Sequence, residues 1–193
     1  MAASVGAAAI QNRGTLAGSL ANASPASDPA PVLLALDARV ELARRDGRKI
    51  ARRELPLDGF FTGYRETAAT SDELIVGVRI PPTALDGWRH GYRKVGARRA
   101  QAISKLVLAV SVRLGRGHVV EGVRIAAGSV APVTLRCPSA ETALAGRRLD
   151  AAAIADARAA IAADIAPIDD LRSSAAYRSR VAGNVLASLL ESL

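Results

Sequence analysis

Gly14, Thr15, Ala17, Gly18 and Ser19 bring small side chains and two hydroxyls together near the start of the chain, and Asp28 follows shortly after. Few Cβ atoms stand in the way of that backbone, so its N–H groups can approach an anionic or nucleotide ligand closely. Glycine tolerates positive φ at Gly14 and Gly18, and the Thr15 and Ser19 hydroxyls add donors. The spacing matches neither Gly-x-Gly-x-x-Gly after a strand nor a loop ending in Gly-Lys-Ser/Thr. A small-residue turn that only leads into a helix satisfies the same pattern. In Asn22-Ala23-Ser24-Pro25-Ala26-Ser27-Asp28, short polar side chains can bond their own backbone and hold an irregular turn. Asp28-Pro29 predicts a helix start, with Asp28 as N-cap and Pro29 at the first helical position. The Asp28 carboxylate can also accept from ligand hydroxyls.

Other reactive groups form no nucleophile set. No Ser/His/Asp or Cys/His constellation and no telling pair of carboxylates stands out. His90 reads as an ordinary residue, and Trp88 and Tyr92 as core or interface residues. Lys94 is either a solvated lysine or a neighbour of a ligand. Cys137 is the one cysteine, so the chain forms no internal disulfide. One Cys with His90 and His118 far apart cannot build a zinc or iron–sulfur site, so no metal or cluster is expected on this chain.

The formal net charge of +8 raises the question of a polyanionic partner. The arginines are scattered in pairs, Arg44-Arg45, Arg52-Arg53, Arg98-Arg99 and Arg147-Arg148, without aromatics between them. That arrangement argues against nucleic acid and for solvated faces or an acidic partner subunit. No run of 18 apolar residues appears, so no membrane span is expected. The single cysteine and the lack of a basic signal-peptide region suit a cytoplasmic protein. Aromatics make up only 3% while half the residues are hydrophobic, so the core must be built from Ala, Val, Leu and Ile.

The elements that position these residues follow from periodicity. Residues 1–10 predict a short helix, then a loop runs to Asp28, then a buried helix spans Pro29–Leu36. Residues 38–44 alternate as a half-buried strand. Asp46-Gly47 predicts a turn into a second arm at Lys49–Glu54, and Pro56–Phe61 a short helix or turn. Glu73–Pro81 predicts a strand with Leu74, Val76, Val78 and Ile80 on one face, ended by Pro81-Pro82. Strands follow from Asp86-Gly87 to Val95, at Leu106–Leu114 and at His118–Ala127, the last two joined at Gly115-Arg116-Gly117. Helices are expected at Ser139–Ala145, Asp150–Ile165 and Ser174–Leu193. The fold class is therefore α+β, with a division near residue 97 into parts 1–97 and 98–193.

Residues 11–28 resemble the second flavin-binding motif of the medium FAD subunit of molybdenum hydroxylases, the family of xanthine dehydrogenases and aerobic carbon monoxide dehydrogenases. The family pattern has Arg-Asn, Gly-Thr-(Ile/Val)-Gly-Gly-Asn, Ala-Ser-Pro and Ser-Asp. The likeness continues through Pro31–Ala38, Asp72–Ile75 with Ile80-Pro81, Tyr92–Arg99, Ala126–Pro132, Pro167–Arg172 and Ala176–Arg178. It spans the chain from about residue 9. It implies a partial FAD-binding subdomain, a loop–helix with antiparallel strands, followed by the family's α+β C-terminal domain. By position, Thr15, Leu16, Ala17, Gly18 and Ser19 would lie along FAD. Asp28 would contact one of its polar parts, Ile75 would pack near the flavin, and Lys94 would sit beside it. Two residues depart from the pattern: Ala17 stands where the family has Gly, and Ser19 where it often has Asn. The earlier subdomain, with its own Gly-rich FAD loop, is not matched, so the expected FAD site is partial.

The resemblance implies a flavoprotein subunit that relays electrons from iron–sulfur clusters through FAD to an acceptor such as NAD. Its partners would be a molybdopterin-binding large subunit, a 2Fe–2S subunit and a polypeptide supplying the missing subdomain. No residue of this chain is expected to touch the oxidised substrate. The alternative, from another class, is a truncated remnant or assembly module that keeps the fold without binding FAD.

Overall fold

A computed structural model describes residues 1–193. A 3-10 turn at Ala2–Ser4 precedes α1 (Ala8–Gln11), α2 (Leu16–Asn22) and α3 (Pro29–Ala35). Strands β1 (Arg39–Asp46) and β2 (Lys49–Pro56) form the expected hairpin, and β3 (Phe61–Gly63) and β4 (Glu66–Thr67) a small second one. β5 (Glu73–Arg79) completes an antiparallel sheet of order β2-β1-β5. The strands β6 (Trp88–Val95), β7 (Leu106–Leu114), β8 (Val120–Gly128) and β9 (Leu135–Arg136) form a second antiparallel sheet in chain order. The chain ends in α4 (Pro138–Leu144), α5 (Ala151–Ala160) and α6 (Ala175–Glu191). The α+β architecture read from the sequence is the one observed.

Two cores form. The larger packs β7 and β8 against α4, α5 and α6 through residues such as Leu106, Leu108, Val110, Ile125, Leu144, Ile161 and Leu186. The smaller joins α2 and α3 to the first sheet through Leu20, Leu33, Leu34, Val40, Leu42, Leu57 and Phe60. Ala109 and Ala126, from the far face of the second sheet, belong to this smaller core. So α3 is the joint between the lobes. Its Pro-Ala-Pro start and Leu-Leu centre make a short rod that is apolar all round, as a helix buried on both sides must be.

Three local expectations are corrected. Leu16–Asn22 is helical, not loop: Thr15 caps it, its hydroxyl accepting from Gly18 N at 2.9 Å. In β5 the predicted face is out of phase. Glu41 pairs with Gly77 and Leu42 with Ile75, so Val76 is an extra residue in the ladder. This bulge turns Ile75 and Val78 toward the smaller core and leaves Leu74 73% and Val76 46% exposed. The helix expected over Asp150–Ile165 ends at Ala160 and continues as a 3-10 turn, Ile161–Ala163. There is no helix long and apolar enough to cross a membrane.

Candidate functional site

Asp28 is the centre of the polar groups brought together at the lobe joint. Its carboxylate is buried, and Lys94 Nζ from the end of β6 donates to its Oδ2 at 2.6 Å. The same ammonium donates to Ser4 O at 2.8 Å, and Tyr92, two residues earlier on β6, places its hydroxyl 3.2 Å from Ser4 Oγ. The other carboxylate oxygen, Asp28 Oδ1, is buried without a donor. Burial pushes the Asp28 carboxyl above the ordinary carboxylate range; the hydrogen bond and charge of Lys94 and the nearby Ser104 hydroxyl, itself engaged with Ser129 Oγ at 2.9 Å, only partly oppose it. Burial also pushes the Tyr92 hydroxyl up. A buried acceptor with an open lone pair is costly in a finished core. It suits a group that a ligand donor completes.

The predicted Asp28 cap is corrected. Asp28 has helical φ −71° and ψ −38° and its side chain caps nothing. Ser27 does so instead, its Oγ accepting from Ala30 N at 3.3 Å. Ser27 Oγ also lies 2.9 Å from Ser19 Oγ, which ties α2 to the start of α3. The turn before it is clamped on the second sheet by Ser129 N donating to Pro25 O at 2.8 Å. Gly128 makes that approach possible. A Cβ there would stand 3.1 Å from Pro31 Cγ and 3.3 Å from Pro25 O.

The sequence-derived residues fall in two groups. Asp28 and Lys94 touch, and Ser19 is linked to them through Ser27. Thr15, Leu16, Ala17 and Gly18 form the start of α2. The amides of Leu16 and Ala17, ahead of the first helical bond, have no protein acceptor. Neither Gly14 nor Gly18 takes positive φ. What excludes a side chain is closeness: a Cβ would meet Ile10 O at 2.9 Å at Gly14 and Thr15 Oγ1 at 3.0 Å at Gly18. Ile75 is half-buried opposite Leu42 on β5, the strand that α2 packs against.

Residues without an obvious sequence signal complete the surroundings. Ser4 holds Lys94 and is met in turn by Tyr92, while Ser27 holds the backbone beside Asp28; Ser27 and Tyr92 lay within matched stretches and Ser4 did not. Lys94 opens onto a cleft of about 580 Å³ shared with Arg93, Arg98, Arg99 and the α6 residues Asn184 and Ser188, with no carboxylate in its wall. A second cleft, of about 570 Å³, lies beside the Ser24–Ala26 turn and carries Arg65, Arg172 and Arg178 with Asp170. Away from both, His90 Nδ1 bonds Ser111 Oγ at 2.9 Å. Trp88 carries Arg124 4.2 Å and Arg113 5.6 Å from its ring centre. Cys137 is buried and its thiol is pushed up by that burial, which leaves it inert.

Comparison with known proteins takes in nearly the whole chain. Residues 1–83 match the family described as FAD binding domain in molybdopterin dehydrogenase, and residues 91–193 that described as CO dehydrogenase flavoprotein C-terminal domain. The chain is 32% identical to the glyceraldehyde dehydrogenase medium chain of Sulfolobus acidocaldarius, over 92% of this chain and 60% of that one. It is also 32% identical to the carbon monoxide dehydrogenase medium chain of Hydrogenophaga pseudoflava, over 94% of this chain and 61% of that one. A solved structure of carbon monoxide dehydrogenase from Hydrogenophaga pseudoflava, lacking the Mo-pyranopterin moiety, superposes with a TM-score of 0.88 at 31% identity. It covers 96% of this chain and 62% of its counterpart. The chain thus spans about 60% of the length of these curated relatives.

Proposed function

The chain belongs to the flavoprotein family of the molybdenum hydroxylases, and from that membership we propose that it is a FAD-binding subunit of an oxidoreductase of this kind, holding part of the flavin site. The observation that carries the proposal is the Asp28–Lys94 pair with its open Oδ1. FAD fits such a group because its hydroxyls can donate to a buried carboxylate oxygen. When bound, FAD supplies the chemistry of accepting electrons from iron–sulfur clusters and delivering them to an acceptor such as NAD.

Each residue then has a task. Asp28 would accept from the cofactor's polar part, and Lys94, which holds Asp28, would supply positive charge to a reduced flavin. The free amides of Leu16 and Ala17 face the ligand, Gly18 keeps the Thr15 cap in place, and Ser19 ties this helix start to Ser27. The Ala17 methyl and the short Ser19 narrow what the site offers compared with Gly and Asn. Ile75 gives an apolar wall that excludes water. We take residues 1–97 as the FAD-binding part and 98–193 as the C-terminal part. Lys94 acts with Asp28, although the backbone of β6 pairs within the second sheet. Partners of this reading are a molybdopterin-binding large subunit and a 2Fe–2S subunit. Arg65 and Arg172 of the second cleft suit an acceptor that carries phosphates.

Absorbance in the flavin bands and chromatography of the released cofactor test the proposal on the purified chain. One FAD per chain, retained or regained after addition, is the expected result. No FAD in the presence of a large excess would contradict it and favour the fold-only alternative.

A further inference from the structure

Local chemistry and tertiary structure disagree about Asp28. Asp followed by Pro is a strong start signal in which Asp caps and Pro takes the first helical position. The ring of Pro29 also disfavours helical dihedrals at the residue before it. Asp28 nevertheless adopts them, with φ −71° and ψ −38°. The cap has moved back one residue. Ser27 Oγ, not the Asp28 carboxylate, accepts from Ala30 N at 3.3 Å, the spacing of an N-cap to the third helical residue.

Several contacts hold the register in place. Ser27 is 7% exposed and its hydroxyl is anchored 2.9 Å from Ser19 Oγ. Its own carbonyl lies over Gly128, where a Cβ would be 3.6 Å away, and Pro25 O is fixed by Ser129 N. With Ser27 as the cap, Asp28 becomes the first helical residue and its side chain projects away from the helix amides toward Lys94 Nζ at 2.6 Å.

We infer that Ser27 is a positioning residue: its hydroxyl caps α3 in place of Asp28 and so holds Asp28 in a helical conformation with its carboxylate on Lys94. Without that hydroxyl, Asp28 relaxes to the extended conformation that Pro29 favours and takes the cap itself. The carboxylate then leaves Lys94 for the amide of Ala30, which stands between Pro29 and Pro31 and is the one N–H of the first three helical residues. The consequence for a ligand rests on the flavin role proposed above; the conformational change does not.

The side-chain carboxyl carbon of Asp28, followed by NMR through an acid titration of the full chain without added ligand, reads this change directly. The charged and titratable groups facing it are Lys94 and Tyr92. In the parent protein its midpoint is expected above the ordinary aspartate value, because the carboxylate is buried. In Ser27→Ala it is expected below that value, because a capping carboxylate accepts the Ala30 amide at the positive end of the helix. A midpoint that stays above the ordinary value in Ser27→Ala overturns the inference. If Ser27→Ala does not fold, Ser27→Gly removes the hydroxyl with the mildest loss at a cap, and the same reversal is expected. FAD titration into the same variants separates the two proposals. Affinity weakened about tenfold alongside the reversal supports both, about 1.4 kcal/mol of binding. A reversal with unchanged affinity keeps Ser27 as the positioning residue and takes Asp28 out of the flavin site.

Discussion

Asp28 and Asp170 are both carboxylates paired with a cation at the joint between the lobes, and their surroundings push them in opposite directions. Asp28 has one cation and an oxygen without a donor, and burial holds its carboxyl above the usual range. Burial works against Asp170 too. There it is outweighed by Arg178 at 2.5 Å and by the amides of Arg172 and Ser173 at 2.8 and 3.0 Å, which hold the carboxyl at about 2. Arg178 in turn donates to Ser129 O at 2.8 Å. A structural carboxylate is saturated by its own chain, whereas one kept for a ligand has capacity left over. That difference, more than the presence of an ion pair, separates the candidate site from the scaffold.

The comparison breaks most visibly in stability. Asp170→Ala leaves the guanidinium of Arg178, 5% exposed, without its carboxylate, and is expected to cost about 3 kcal/mol or more in denaturant unfolding. Asp28→Asn should cost about 1 kcal/mol at most, since an amide oxygen can still accept from Lys94. An equal loss in both would erase the distinction. In flavin binding the order reverses: Asp28→Asn should weaken FAD about tenfold or more, about 1.4 kcal/mol, while Asp170→Asn leaves the affinity near that of the parent.

Acid sharpens the contrast further. The folded Asp170 carboxyl titrates at about 2, below its unfolded value of 3.8. Its contribution to stability is therefore full above about 4 and lost as pH falls toward 2. Asp28 is raised, so its contribution has the opposite sign and declines as pH rises through its folded value. Thermal midpoints between pH 5 and 2 should fall less steeply in Asp170→Asn than in the parent; parallel curves would contradict this. A small effect on stability is also expected at Gly128→Ala. Its methyl meets Pro31 and the carbonyl of Pro25 and should cost about 1 kcal/mol by loosening the seat of Ser27, read as a lowered melting temperature.

Much of this was legible in the amino-acid sequence, and the failures share a cause. Alternation located β1, apolar or alternating runs located β7 and β8, which lie between the two cores, and the turn signals Asp46-Gly47 and Asp86-Gly87 located β2 and β6. It misjudged β5, since a single bulged residue at Val76 reverses which side chains face inward and leaves no mark in the hydrophobic pattern. Small residues hid α2, where Thr15 provides a cap and Gly18 the room for it. Asp28 and Lys94 came from likeness to a family, and their contact across 66 positions could not come from spacing. Ser27 and Asp28 both have the type of a capping residue; Pro29 favours Asp28 for the role, and burial against Gly128 and the bond to Ser19 give it to Ser27.

The most direct test of the site is calorimetric titration of FAD into the purified chain and into Asp28→Asn under identical conditions. The account predicts one FAD per parent chain and an affinity at least about tenfold lower in Asp28→Asn. Equal affinity for the two chains, or no binding to the parent, would contradict the claim that the open oxygen of Asp28 is kept for the flavin.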